Sequence, residues 1–215
     1  MMRKAMIKTY YQIKGIGIFG WVPVFILYIF IPCWSCSVYA GFQDIGEVYT
    51  FFVETSQYMC PVFSVWLPFF VLYHLIEQPG CEVLYVDKTY KCSELLVPYI
   101  LYAILMLPLF GVYGWMFPNL WWLYLKLCVV NLLYLGIVYA FSYLFGQIIP
   151  GIIVVLLYSV LAFMEGSKNT GVFSYFSSVV NTGGKLIKEL LPILVVSAIL
   201  FLIGIIANKR FIGKC

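Results

Sequence analysis

Hydrophobic residues dominate this chain in long runs, and polar residues are confined to the short stretches between them. A helix needs about 20 apolar residues to cross the hydrocarbon core of a bilayer. Six runs approach this length and predict six transmembrane helices, at residues 16–39, 56–76, 95–117, 122–145, 148–163 and 190–207. None of them shows the apolar–polar alternation of a membrane β-barrel strand. The pattern therefore predicts an all-α, polytopic integral membrane protein.

The composition supports this prediction. Of the 215 residues, 64% are hydrophobic and 10% are charged, whereas a soluble domain carries about 25% charged residues. The sequence contains no internal repeat and no polar region large enough for a soluble domain. Residues 1–215 are therefore expected to form a single membrane domain.

Lysine and arginine are distributed unequally between the two sides of the predicted bundle. Nine lie on the side of the N-terminus and four on the other side. Basic residues concentrate in the cytoplasmic connections of membrane proteins, so we expect cytoplasmic termini and a location in the inner (plasma) membrane. The first outer connection is then expected to carry only the acidic residues Asp44, Glu47 and Glu54. The net charge of +4 belongs to these membrane-orienting groups and does not indicate a nucleic-acid partner.

Residues 1–14 are basic and carry an apolar stripe at helical spacing. One interpretation is an N-terminal amphipathic helix lying in the inner interface of the membrane. The other is a basic tail that only sets the orientation.

A polar segment at residues 77–94, here called the charged island, separates the second and third predicted spans. Six of its residues are charged: Glu77, Glu82, Asp87, Lys88, Lys91 and Glu94. Pro79 and Gly80 form a turn or helix-start signal, and apolar residues such as Leu84 and Tyr90 follow among the charges. This pattern predicts a short amphipathic helix on the cytoplasmic side that docks a soluble partner. An ordinary solvated loop is the alternative.

Several catalytic signatures are missing. The chain has no GxxxxGK[ST] phosphate loop, no HExxH and no GxSxG, and its only histidine, His74, is expected at the membrane interface. We therefore predict no enzymatic activity and no metal site, and any transport must draw its energy from another chain. Within the spans, Lys126 is expected to extend to the headgroups and Asn131 to hydrogen bond between helices.

Cys33 and Cys36 have CxxC spacing, which allows two interpretations: a metal or redox pair, or two small hydrophobic residues near a helix end. No second CxxC or histidine cluster completes a zinc site, and the sequence does not decide whether the two are bridged. Cys60 and Cys128 are expected to pack within spans.

Polar and aromatic side chains recur along the fourth span. A path for a hydrophobic or amphipathic cargo is one interpretation, and packing against neighbouring helices is the other. The residues concerned are Asn131, Tyr134, Tyr139, Phe141 and Tyr143.

The order of these features resembles the permease subunits of type-2 ABC exporters. Those subunits have an amphipathic N-terminal helix, two spans, a cytoplasmic coupling helix and four further spans, with a membrane-dipping outer segment before the last one. Their coupling region often shows a pattern like E-x-x-x-G-[TS]-x-E-x-L. Here Glu77, Gly80, Glu82 and Leu84 lie in the sequence EQPGCEVL, of which the Gly-x-Glu-x-Leu part fits. Cys81 departs from the usual Ser or Thr, and residues 85–88 replace the usual Pro-[LVI]-[ST]-Arg ending.

The resemblance implies a coupling helix that docks an ATPase subunit, and the partner subunit would hold ATP and Mg²⁺. It also implies pairing with a second permease copy or a homologous permease. Residues 171–180 are apolar and aromatic, and they are expected to dip into the outer leaflet or to pack on the bundle. The cargo would be a peptide, drug or lipid. The partner-binding residues would be Glu77, Gly80, Glu82, Leu84, Asp87, Lys88 and Lys91. The alternative function is a non-transport membrane protein, an assembly or immunity factor that binds a partner within the bilayer.

Overall fold

The structure, a computed structural model, describes residues 15, 17–78, 92–166 and 183–212. The predicted N-terminal amphipathic helix, most of the charged island and the segment 171–180 lie outside the described residues. The described part is helical apart from short connections, and it contains no strand. After a composite first helix, α1 (residues 17–42), the helices are α2 (Ile45–Ser64), α3 (Trp66–Ile76), α4 (Cys92–Met116), α5 (Leu120–Phe145), α6 (Ile149–Gly166) and α7 (Gly184–Ile212).

Five stretches are long and apolar enough to cross a membrane. They are Gly17–Gly41, Ile45–Ile76, Glu94–Met116, Leu120–Phe145 and Lys185–Arg210. The prediction of an all-helical, membrane-embedded protein is thus confirmed. The fifth predicted span coincides with a shorter apolar helix, Ile149–Met164, so a sixth crossing stays a prediction.

The first helix is irregular because of its prolines. It consists of a 3-10 turn (Gly17–Trp21), an α-helical turn (Val22–Phe25), a π-helical turn (Ile26–Phe30) and an α-helix (Ile31–Phe42). Pro32 has no N–H to donate to the preceding turn, and the π-helical turn directly before it accommodates the missing bond.

The second span was predicted to begin at residue 56, and this prediction is wrong. Gln43, in the left-handed conformation at φ +54°, ends α1, and the Asp44 carboxylate caps α2 by accepting the Gly46 N–H at 2.8 Å. Glu47 and Glu54 therefore lie on a helix and not in an outer loop. Carboxylates are favoured in a first helical turn by the helix dipole, which is why Glu47 does not mark a loop.

The bundle is built around α5. In an apolar 18-residue stretch of α5, 72% of the residues are buried, whereas the corresponding shares are 17% for α1 and 28% for α7. The helix α7 runs parallel to α5, because Lys126 faces Glu189 near the start of both helices and Tyr139 faces Asn208 near their ends. The helix α6 is antiparallel to α5, since Tyr134 faces Ser159 and residue 151 packs beside residue 142. It therefore runs back across the bundle.

Glycines allow the closest helix contacts. A Cβ on Gly136 would lie 3.4 Å from the Ser197 carbonyl oxygen, and one on Gly204 would lie 2.6 Å from Cε1 of Tyr139. Small residues permit this close approach between membrane helices, and α5 packs more extensively against α7 than against any other described helix.

The remaining helices alternate in direction, which defines two ends of the bundle. The helix α1 is antiparallel to α2, since the Trp66 indole donates to the Phe19 carbonyl and Trp34 stacks on Phe51. The helix α4 is antiparallel to α2, since the Tyr102 hydroxyl donates to the Cys60 carbonyl at 3.0 Å and Phe110 packs on Phe52. The ends of α3, α5 and α7 and the starts of α1, α4 and α6 thus share one end, here called the island face. The other end is the opposite face.

Candidate functional site at the island face

Glu77 joins the start of the charged island to the helical bundle. It is the C-cap of α3, with its N–H donating to the Tyr73 carbonyl. Its carboxylate oxygen Oε1 accepts the backbone N–H of Ile148 at 2.8 Å, across 71 residues of chain. Ile148 directly precedes α6, so the carboxylate satisfies one of the free N–H groups at the start of that helix and lies at its positive end.

The donor, the backbone N–H of Ile148, lies in a buried turn. The helix α5 ends at Gly146, which has φ +66°, and Ile148 is only 1% exposed. A left-handed residue at this position favours glycine and makes a tight connection between α5 and α6. Glu77 is therefore fixed to the turn that joins the central helix α5 to α6.

The rest of the predicted docking set has no structural test here. Gly80, Glu82, Leu84, Asp87, Lys88 and Lys91 lie outside the described residues, so their role stays a prediction. At the other end of the charged island, Glu94 lies in the first turn of α4 and is buried. His74, near the end of α3, is half-buried and hydrogen bonds the Gln78 side chain.

The tyrosines of the predicted cargo path lie in the core of the chain. Tyr134, Tyr139 and Tyr143 are at most 3% exposed. The Tyr134 hydroxyl hydrogen bonds Ser159 at 2.8 Å, and the Tyr139 hydroxyl accepts from the Asn208 amide at 3.2 Å. In the single chain these tyrosines pack between helices. That they contact a cargo stays a prediction.

The other two residues of that set differ from each other. Phe141 is half-buried and stacks on Phe145. Asn131 is buried, and its amide nitrogen lies 3.8 Å from the Met106 sulfur on α4, an interhelical contact of the kind expected from the sequence. Its Oδ1 has no hydrogen-bond partner among the described residues.

The sequence predicts that Lys126 extends toward the headgroups, and the structure differs from this prediction. Lys126 is 2% exposed, and its ammonium nitrogen lies 3.9 Å from Oε2 of Glu189 on α7. A buried charge needs an opposite charge nearby, and the parallel packing of α5 and α7 supplies it. No sequence signal connects residues so far apart.

The cysteines show no redox or metal arrangement in the described part of the chain. Cys33 and Cys36 are exposed and free, and Cys60 is buried in the core. Within the described ranges, no three His, Cys, Asp or Glu side chains come together as a metal-binding group.

Two cavities were missed from the sequence, because each depends on which helices become neighbours. The larger, about 570 Å³, is apolar and lies near the opposite face between α1, α2 and α4, where Tyr28, Ser35 and Tyr113 are among its lining residues. The smaller, about 350 Å³, lies between α2 and α6 and contains Glu54.

Comparison of the chain with protein-family models, with curated proteins and with solved structures found no match in any of the three.

Proposed function

We propose that this chain is the membrane-spanning permease subunit of an ATP-driven exporter, with six spans and cytoplasmic termini. Its cargo is hydrophobic or amphipathic, and a separate ATPase subunit binds the ATP and Mg²⁺. The charged island docks that subunit, and a second permease completes the transporter.

The direction of the helices supports this proposal. The helix α6 runs antiparallel to both α5 and α7, so its 18 residues form a return path of about 27 Å at 1.5 Å per residue. This length is close to the roughly 30 Å of a hydrocarbon core. Six crossings would put the charged island and both termini on one side, where a soluble ATPase can reach them.

The hydrogen bond from Ile148 to Glu77 is the observation that carries the proposal. A partner that pushes on the charged island acts on a segment whose first residue is bound to the α5–α6 turn. Since α5 contacts every helix from α2 to α7, a displacement at this point reaches most of the bundle. An element that only linked two spans would not need such an attachment.

The test is purification of the tagged chain from its native host in mild detergent, followed by mass spectrometry of the bound proteins. We expect a polypeptide with a GxxxxGK[ST] loop and ATPase activity in the complex. Reversing the charges of Glu82 and Asp87 to Lys should remove both. Glu47→Lys is the matched control, because Glu47 lies at the opposite face, and it should retain the ATPase.

The exporter is excluded if the chain purifies alone and if the charge reversals at Glu82 and Asp87 leave its transport activity unchanged. The second candidate is then a non-transport membrane protein that binds a partner in the bilayer. The burial of Tyr134 and Tyr139 in the core of a single chain favours this candidate, because a cargo path needs accessible side chains. It predicts that the chain captures a membrane protein and no ATPase.

A further inference from the structure

An open cavity of about 350 Å³ lies between α2 and α6, toward the opposite face. Four lining residues come from α2 at positions 54, 55, 58 and 59, a spacing that places them on one helix face. Val160 and Phe163 line it from the last turns of α6. The volume is at the lower end of the range typical of small-molecule sites.

The cavity contains a carboxylate at a depth where carboxylates are costly. Glu54 is half-buried and lies about 14 Å along the apolar stretch that begins at Ile45. Among the described residues, the structure gives it no hydrogen bond and no ion pair. Glu77 and Glu189, by contrast, have the Ile148 N–H and the Lys126 ammonium. An ionisable residue within a span indicates a functional site, since its charge needs a partner there.

The other lining groups suit a cation with an apolar body. The Tyr58 and Phe163 rings meet edge to face, with centroids 6.0 Å apart. Aromatic faces attract ammonium and related cations, more strongly when water is excluded. Met59 and Val160 add apolar surface, and Thr55 offers a hydroxyl. A neutral ligand would leave the Glu54 carboxylate without a counter-charge.

We propose that this cavity binds a lipophilic organic cation, with the positive charge against Glu54 and the Tyr58 and Phe163 rings and the apolar body against Met59 and Val160. An amine-bearing membrane lipid and an exported amphipathic amine share this chemistry. The site belongs to a single chain, so its existence does not depend on the exporter proposal, and binding is measured without an ATPase.

The test uses the purified chain in an uncharged maltoside detergent with radiolabelled tetraphenylphosphonium, measured by equilibrium dialysis. We expect saturable binding that Glu54→Gln weakens by about tenfold or more, as expected when a charge pair in a partly desolvated site is lost. Tetraphenylborate, an anion of the same shape, should not compete. Glu47→Gln is the matched control, because Glu47 is exposed in the first turn of α2 and does not line the cavity; it should bind like the wild type.

Tyr58→Leu is the second variant, in case Glu54→Gln fails to fold, and it should weaken binding by about threefold to tenfold through loss of the aromatic face. Competition by phosphatidylethanolamine but not by phosphatidylglycerol would identify a lipid amine as the occupant. Absence of lipid competition, with tetraphenylphosphonium still bound, would indicate a free cation. Equal binding by the wild type and both variants, or equal competition by tetraphenylborate, would overturn the proposal.

Discussion

A methyl group added at Gly204 tests the packing between α5 and α7. Gly204 faces the ring of Tyr139, and a Cβ there would lie 2.6 Å from Cε1, well inside van der Waals contact. Tyr139 is fully buried and its hydroxyl accepts a hydrogen bond from Asn208. The ring therefore has no free space to move into, and Gly204→Ala is expected to force the two helices apart.

The size of the effect follows from two opposing contributions. Overpacking a core costs about 1–3 kcal/mol, and the close approach to a fixed ring puts this site in the upper half of that range. Alanine is favoured over glycine within a helix by about 0.5–1 kcal/mol. The net loss is about 1–2.5 kcal/mol, which corresponds to a melting temperature lower by roughly 2–10 °C in a chain of this size.

The assay is thermal unfolding of the purified variants in the same detergent, monitored by circular dichroism. Gly111→Ala is the matched control, because nothing lies within 4 Å of the added carbon, and it should keep or raise the melting temperature. Trimming the ring in Gly204→Ala/Tyr139→Leu should cost less than the sum of the single changes, as expected for residues in contact. A Gly204→Ala protein as stable as the Gly111→Ala protein would refute the close packing of α5 on α7.

Three further outcomes follow from named contacts. Glu189→Gln should lower the free energy of unfolding by about 1–2 kcal/mol more than Lys126→Met does. The first change leaves a buried ammonium without its counter-charge, whereas the second removes that charge. Glu77→Ala should cost about 1 kcal/mol through loss of the cap on α6, and Glu77→Gln, which keeps an acceptor oxygen, should cost less. Tyr102→Phe should cost about 1 kcal/mol, since its hydroxyl donates to the buried Cys60 carbonyl. Unfolding curves that show no difference between Glu189→Gln and Lys126→Met, between Glu77→Ala and Glu77→Gln, or between Tyr102→Phe and the wild type would contradict the corresponding contact.

The positions of the helices were largely predictable because hydropathy is a local property of consecutive residues. The fourth predicted span, 122–145, nearly coincides with α5, and the second fails only at its start. There, Asp44, Glu47 and Glu54 predict a loop because acidic residues are rare in spans. The caps at Gln43 and Asp44 show why this was wrong: two residues suffice to end one helix and begin the next.

The contacts of the candidate sites were not predictable, because each joins residues far apart in sequence. Nothing near Lys126 indicates that Glu189 will lie beside it, and nothing near Glu77 indicates that it will accept the Ile148 N–H. Hydropathy also does not distinguish a helix that faces lipid from one at the centre of the bundle. From the sequence, Tyr134 and Tyr139 are equally compatible with two arrangements. They could line a cargo path on a peripheral helix or form the core on a central helix.

The two proposed sites act on the same helix. Glu77 binds just before the start of α6, and the Glu54 cavity is formed against its last turns. Glu54 lies within the apolar stretch Ile45–Ile76 and Glu77 directly follows it. This stretch is divided into α2 and α3 at Val65, where Pro68 has no N–H for the Ser64 carbonyl. The two carboxylates therefore meet α6 at different points, Glu54 in the cavity beside its last turns and Glu77 at the Ile148 N–H before its start. If both proposals hold, a cation in the cavity and a partner on the charged island bias the same helix, and linkage requires each to change the affinity of the other by the same factor.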